Sequence, residues 1–194
     1  MLTRSGAVIN WKDPKPAPGR LAVVQDFINT ANRMHDRDEL QTAARASEAL
    51  VVLGLIDGGG QIDEAGRQHI VAFREALRQM ILTHHEDGLN VTAAAGELNE
   101  AIGNVPMRAR FSPQGQPTMH PPVGGPPAHQ VIGAVLAAIV AADACGEWPR
   151  LKACQNTACQ WAFYDASRNR SGRWCDMNIC GVRHKMRTYR ERQR

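Results

Sequence analysis

Apolar residues recur at helical spacing through most of the first 144 positions. Leu21, Val24, Phe27 or Ile28 and Ala31 mark a first helix, and Leu40, Ala44, Leu50 and Leu53 a second that begins near Asp38 and breaks at Gly58-Gly59-Gly60. Asp63 stands where an N-cap is wanted for the longest helix, whose stripe of Ile70, Phe73, Leu77 and Met80 or Ile81 runs on to His84. Thr92 is placed to cap a shorter helix ending near Ile102. Between Val105 and Pro122 the period shortens, because Met107, Ala109 and Phe111 alternate with Arg108 and Arg110 ahead of the turn Pro113-Gln114-Gly115. That pattern predicts a small hairpin. Pro121 to Pro127 holds four prolines and two glycines and can continue neither helix nor central strand. Val131 to Ala144 then reads as a helix apolar nearly all round, the buried centre of the body. Residues 1 to 20, with Pro14, Pro16 and Pro18 alternating and no apolar period, read as a loose lead-in.

At 194 residues with 43% apolar content, the chain has room for one ordinary domain and a small appendage. The longest apolar stretch, Val131 to Ala142, ends at Asp143, short of the roughly 20 residues that cross a bilayer. No basic start followed by an apolar run marks a secretory signal, so the expectation is a soluble cytoplasmic protein without a membrane partner. The net charge of +4 conceals a division. From Arg150 onward, 11 Lys and Arg face only Asp165, Asp176 and Glu191, whereas the preceding residues carry a small acidic excess. A basic tail on an acidic body suits a protein in which only the tail meets a polyanion.

Cys154, Cys159, Cys175 and Cys180 are spaced C-x4-C-x15-C-x4-C. Four thiolates supply a closed, soft, tetrahedral shell, and two ligands separated by four residues let one short turn present both sulfurs to one ion. The pattern therefore predicts a single structural zinc ion, Zn2+, with no ligand position left for catalysis. Disulfides fit less well, since Cys145 would be left over and nothing else suggests secretion. Within this module Trp161-Ala162-Phe163-Tyr164 and Arg173-Trp174 read as two strands joined by the polar stretch Asp165 to Gly172. The second cysteine pair leads directly into a helix, the order of a treble-clef-like finger. On that helix Ile179, Val182, Met186 and Tyr189 share one side, while Arg183, Arg187, Arg190 and Arg194 form an adjacent row. Like charges so placed repel by a few tenths of a kcal/mol per pair, a cost that a bound anion removes. Arg168, Arg170, Arg173 and Lys185 supply further cations nearby.

Trp161, Phe163, Asp165, Ser167-Arg168-Asn169, Arg173-Trp174-Cys175, Met177, Cys180-Gly181, Arg183, Lys185 and Tyr189-Arg190 together resemble the CGNR zinc finger. Upstream, Asp26-Phe27-Ile28-Asn29-Thr30 and Phe73-Arg74-Glu75-Ala76-Leu77-Arg78 resemble the ABATE domain, which precedes that finger in bacterial proteins described as stress-induced transcription regulators. The resemblance covers almost the whole chain. It implies a mainly α fold: a helical domain with a small hairpin over residues 1–149, then a four-cysteine finger over 150–194. It also implies nucleic-acid binding. Two positions depart from the pattern: Ala49 stands where ABATE domains often carry tryptophan, and Val182 stands where the finger's name motif has asparagine. If that asparagine contacts a base or caps the helix, the contact is lost here, while phosphate binding is untouched.

Other candidate sites are weaker. In His84-His85-Glu86 adjacent side chains point about 100° apart and cannot chelate together. Cys145 follows a buried helix and reads as a buried thiol rather than a nucleophile or redox sensor. Asp26 and Asn29 lie one turn apart and read as hydrogen-bonding within the fold. The reading that follows is a non-enzymatic regulator that binds DNA through the finger, with a helical body acting as effector sensor or homodimer interface. RNA binding through the same basic face is the alternative, favoured if Trp161 or Trp174 is open for base stacking. An enzyme whose finger is purely structural is the third reading.

Overall fold

The structure, a computed structural model, describes residues 13–85, 90–121 and 124–193. The described residues are mainly helical: α1 Leu21–Ile28, α2 Ala43–Val52, α3 Glu64–Leu82, α4 Val91–Ile102, α5 Pro127–Asp143 and α6 Val182–Arg192. Three two-stranded antiparallel ribbons complete them, pairing β1 Ala31–Asn32 with β2 Arg37–Asp38, β3 Arg108–Phe111 with β4 Pro117–His120, and β5 Leu151–Ala153 with β6 Ala162–Tyr164. No described helix is long and apolar enough to cross a membrane.

Helix α3 is the axis of the body, about 28 Å long at 1.5 Å per residue. Asp63 caps it as expected, accepting from the Gly66 amide at 2.7 Å. Its stripe of Ile70, Phe73, Leu77 and Ile81 is fully buried, and Phe73 meets Phe27 of α1 with ring centroids 5.8 Å apart. Helix α5 runs beside it, burying Val131, Ile132, Val135 and Ala138. The expected β3–β4 hairpin leans on α5 at Gly133, where a Cβ would come within 2.7 Å of the Pro121 side chain.

Several boundaries differ from those the period suggests. Helix α2 starts at Ala43, capped by Thr42, because Asp38 belongs to β2 and spends its carboxylate on Arg74 and the Leu40 amide. Asn90 rather than Thr92 caps α4, accepting from Ala93 N at 3.0 Å. Helix α5 begins at Pro127, at a first-turn position where proline's missing N–H is harmless. Nor is α5 buried all round, since Val140 is 55% exposed.

Two arginines lie inside the body, Arg74 2% and Arg78 0% exposed. Arg74 grips Asp38 with two bonds of 2.7 Å and reaches Thr30 Oγ1 at 3.0 Å. Arg78 donates to the Ile28 carbonyl at the end of α1 (2.6 Å) and to the Gln160 carbonyl in the C-terminal module (2.8 Å). Burial lowers its pKa to about 10, with Glu75 opposing the shift, so it remains charged at neutral pH. Glu75 lies between the two guanidiniums and also receives Arg33 at 2.6 Å.

The β5–β6 ribbon is held to the body from several directions. The Asn29 side chain, at the end of α1, behaves as a short strand: it accepts from Ala162 N at 2.8 Å and donates to Ala162 O at 2.9 Å. Gln25 adds a bond to the same carbonyl. At the end of α3, His84 Nδ1 lies 2.7 Å from the Leu151 carbonyl and His85 Nε2 2.7 Å from that of Ala153. The proline-rich segment, read as a loose lead-in, is tied down over its described part. Lys15 O accepts from Tyr164 N at 3.0 Å, and Ala17 N donates to Gln25 Oε1. Proline cannot donate, but the residues between the prolines supply an acceptor for β6 and a donor for the Gln25 side chain on α1. As a result Leu151, Ala153 and Ala162 join one buried core with α1, α2, α3 and α5, so that core spans position 150.

Two outcomes follow from these seams. Burial lowers the His84 pKa below 6.5, so the folded state prefers the neutral ring. The unfolded chain takes up a proton near pH 6.5 before the folded chain does, so stability should fall as pH drops from about 7.5 to 5.5. Urea midpoints across that range should show the fall in the parent and a smaller one in His84→Gln. A chain ending at Pro149 loses three core residues and the bonds that Asn29, Arg78, His84 and His85 make to the C-terminal module. It is expected to melt well below the full chain or to lose cooperativity; an unchanged melting temperature by circular dichroism would show a self-sufficient body.

Candidate metal centre and basic helix

The first cysteine pair sits in the turn of the β5–β6 ribbon, so the hairpin presents both sulfurs from one side. Strand β6 matches the expected Trp161–Tyr164 segment, but its partner is Leu151–Ala153, not Arg173-Trp174. Lys152 hides that strand in the sequence, because a cation at its centre reads as surface. It is in fact 2% exposed, paired with Asp165 at 3.0 Å and bonded to the Arg170 carbonyl. Arg173 meets the knuckle through its backbone, Gln155 N donating to its carbonyl at 3.0 Å.

The four sulfurs of Cys154, Cys159, Cys175 and Cys180 all lie within 4.8 Å of one another, and all four residues are buried. Cys159 and Cys175 are 3.7 Å apart, Cys175 and Cys180 3.9 Å. A tetrahedron with Zn–S bonds of about 2.3 Å has edges of about 3.8 Å. The spacing therefore fits a single zinc ion, which is the chain's cofactor. Four thiols so close cannot all ionise unaided. Hydrogen bonding to Cys154 pushes the Cys159 thiol up to about 12 and raises Cys175 as well, while Cys154 itself falls to about 2. A divalent cation reverses that repulsion. Asn156 Nδ2 supports the cluster from 3.5 Å on Cys180 Sγ.

The second pair is shaped by a π-helical turn, Met177–Gly181, capped by Asp176, whose carboxylate accepts from Asn178 N and Ile179 N. Met177 folds over Gly181 so closely that a Cβ there would sit 2.6 Å from its sulfur. Between the pairs, Asp165 organises the loop of residues 165–172. Burial opposes its ionisation, but Ser167, Lys152 and Gly172 N hold its pKa at about 2.

That loop exposes Arg168 and Arg170, and Arg173 follows just beyond it. Helix α6 exposes Arg183, Arg187 and Arg190 along one row; Arg194 lies outside the described residues. Lys185 is also exposed, but two positions from Arg183 it is turned about 200° away and does not extend the row. Arg183 Nη1 touches Met34 Sδ at 3.1 Å, and Arg187 lies 4.0 Å from Glu191. Helix α6 meets the finger through His184, whose ring lies 4.9 Å from that of Trp174. Its apolar side stays open, with Val182 48%, Met186 50% and Tyr189 61% exposed.

Among the remaining candidates, Cys145 is exposed rather than buried, because it follows the end of α5 in a turn. Asn29 works inside the fold as expected, and His84 and His85 bond two separate carbonyls; Glu86 lies outside the described residues. The supports of the finger (Asn29, Gln25, Arg78 and Asp13, which accepts from Trp161 Nε1 at 2.6 Å) have no local signature. The one clue is an arginine pair, Arg74 and Arg78, bordering the apolar stripe of α3 at a four-residue interval.

A helical domain joined to a small four-cysteine zinc finger with a basic terminal helix is thus the class this structure defines. The chain belongs to the ABATE family, whose model, described as "Putative stress-induced transcription regulator", matches residues 21–146, with a CGNR zinc finger matching residues 150–193. Comparison with curated proteins found no significant match.

Cys154, Cys159, Trp161, Phe163, Cys175 and Cys180 form the finger's own buried cluster. Zinc contributes on the order of 10 kcal/mol or more to folding such a module. Elemental analysis should find one zinc per chain in the parent and little in Cys175→Ser, with the remaining cysteines becoming reactive to alkylation.

Proposed function

We propose that this protein is a bacterial transcription regulator that binds DNA through α6 and the loop of residues 165–173. The observation that carries the reading is the row Arg183, Arg187 and Arg190, exposed on a helix attached to the protein mainly through its zinc knuckle. Three guanidiniums on one side of a short helix repel one another in the free protein and are stabilised by phosphates. Arg168, Arg170 and Arg173 widen the cationic surface. In this reading the zinc is structural: it fixes the direction of α6, and the helical body serves as effector sensor or dimerisation unit in the cytoplasm.

RNA recognition by base stacking gains no support, since Trp161 is 8% exposed and bonded to Asp13, and Trp174 is half-buried against His184. The family descriptions are regulatory rather than enzymatic. A cleft of about 360 Å³ between the starts of α3 and α5 contains Asp63, His69 and His129. The fold already engages two of them, Asp63 as a helix cap and His69 at the Ala101 carbonyl.

Salt dependence tests the proposal. If about four phosphates are neutralised, affinity for duplex DNA should fall about 100-fold between 50 and 200 mM salt. Arg187→Ala with Arg190→Ala should lower the logarithmic slope by about 1.8 and weaken all sequences alike, measured by fluorescence anisotropy. A zinc-loaded, folded Arg183/Arg187/Arg190 triple alanine variant that binds as tightly as the parent at low salt would overturn the reading.

A further inference from the structure

Phosphate binding requires only cations, yet α6 and the turn before it also expose Ile179, Val182, Met186 and Tyr189 at 48, 48, 50 and 61%. The ring contact between His184 and Trp174 marks the side of α6 that faces the finger. At about 100° per residue, Val182, Met186 and Tyr189 form one strip opposite His184, and Arg183, Arg187 and Arg190 form the adjoining one, whose Arg187 reaches His184 Nδ1 at 3.4 Å. The free side of the helix is therefore half apolar and half cationic, and Glu191 is the helix's single acidic residue.

Such a surface fits a partner that offers anions and methyl groups at close range. The DNA major groove does so: it is about 12 Å wide, admits an α-helix, and displays the thymine C5-methyl beside its phosphate walls. Duplex RNA does not, because side chains cannot read its deep, narrow major groove and uracil lacks the methyl. Val182 is the best placed of the apolar residues. Residues near the start of a recognition helix reach base edges. Val182 lies two positions after Cys180, so the knuckle fixes its backbone, and a β-branched side chain in a helix keeps essentially one rotamer. An asparagine at this position could pair with adenine through its amide; valine offers methyl groups alone.

We infer that the apolar strip of α6 reads thymine methyls in the major groove, with Val182 as a specificity-determining residue. This rests on the DNA-binding reading above. The test uses the full zinc-loaded chain. Duplexes selected from a random pool are remade with deoxyuridine in place of thymidine, which keeps the pairing and removes only the methyl. Loss of one contacted methyl should weaken binding about fourfold at fixed salt. Val182→Ala should bring the thymidine-to-deoxyuridine ratio towards one without changing the salt slope, and Val182→Asn should shift the selected base away from thymine.

Equal affinity for the two duplexes, or salt-sensitive binding with no selected sequence, overturns this inference and leaves the DNA-binding reading standing. Absence of any salt-sensitive DNA binding defeats both. If Val182→Ala or Met186→Ala instead converts a sedimenting dimer to monomer with DNA affinity unchanged, the strip is a self-association surface and the inference fails.

Discussion

The guanidinium of Arg78 is the constraint around which the molecule is arranged. A cation with no solvent exposure must be surrounded by acceptors, and leaving one out costs several kcal/mol. The acceptors come from four places in the chain: the last carbonyl of α1, the Ala31 carbonyl of β1, Glu75 one turn earlier on α3, and Gln160 beside the first cysteine pair. Gln160 adopts φ 48°, a left-handed conformation uncommon for a residue with a side chain. Its carbonyl in that geometry faces Arg78, and its side chain meets Arg33. The zinc knuckle and the helical body thus share one charge centre.

Around that centre the seams are polar at the edge and apolar in the middle. The amides of Asn29 and Gln25 satisfy the backbone of β6, the histidines satisfy β5, and Leu151, Ala153 and Ala162 fill the space between them. A ribbon of three residues per strand has too little surface to persist alone in water. It persists here because one face belongs to the body and the other to the cysteine cluster.

What is legible in the sequence is what repeats or pairs locally. The apolar periods of α1, α3 and α5, the Asp63 cap, the β3–β4 alternation and the spacing of the four cysteines all express near-neighbour geometry. What stays hidden depends on partners far along the chain. Lys152 masks a strand because Asp165, which makes its burial tolerable, is 13 residues away. Asp38 resembles a helix start because its partner Arg74 lies 36 residues away on α3. Asn29 carries no mark of the strand it imitates, 133 residues distant. Cys145 reads as buried because the helix before it is, yet the chain turns outward directly after that helix.

The π-helical turn at Met177–Gly181 has a thermodynamic consequence for α6. Eleven residues rich in arginine are below the length at which an isolated helix persists in water, because the first turn fixes several dihedral angles for a single hydrogen bond. Here that first turn is built before the helix begins, by two metal ligands and the carboxylate of Asp176. The ion thereby acts as a helix nucleus, leaving only propagation to the sequence. With so little packing beyond His184, helical order should decay from the knuckle outward, and backbone amides should exchange with solvent progressively faster from Arg183 towards Arg192.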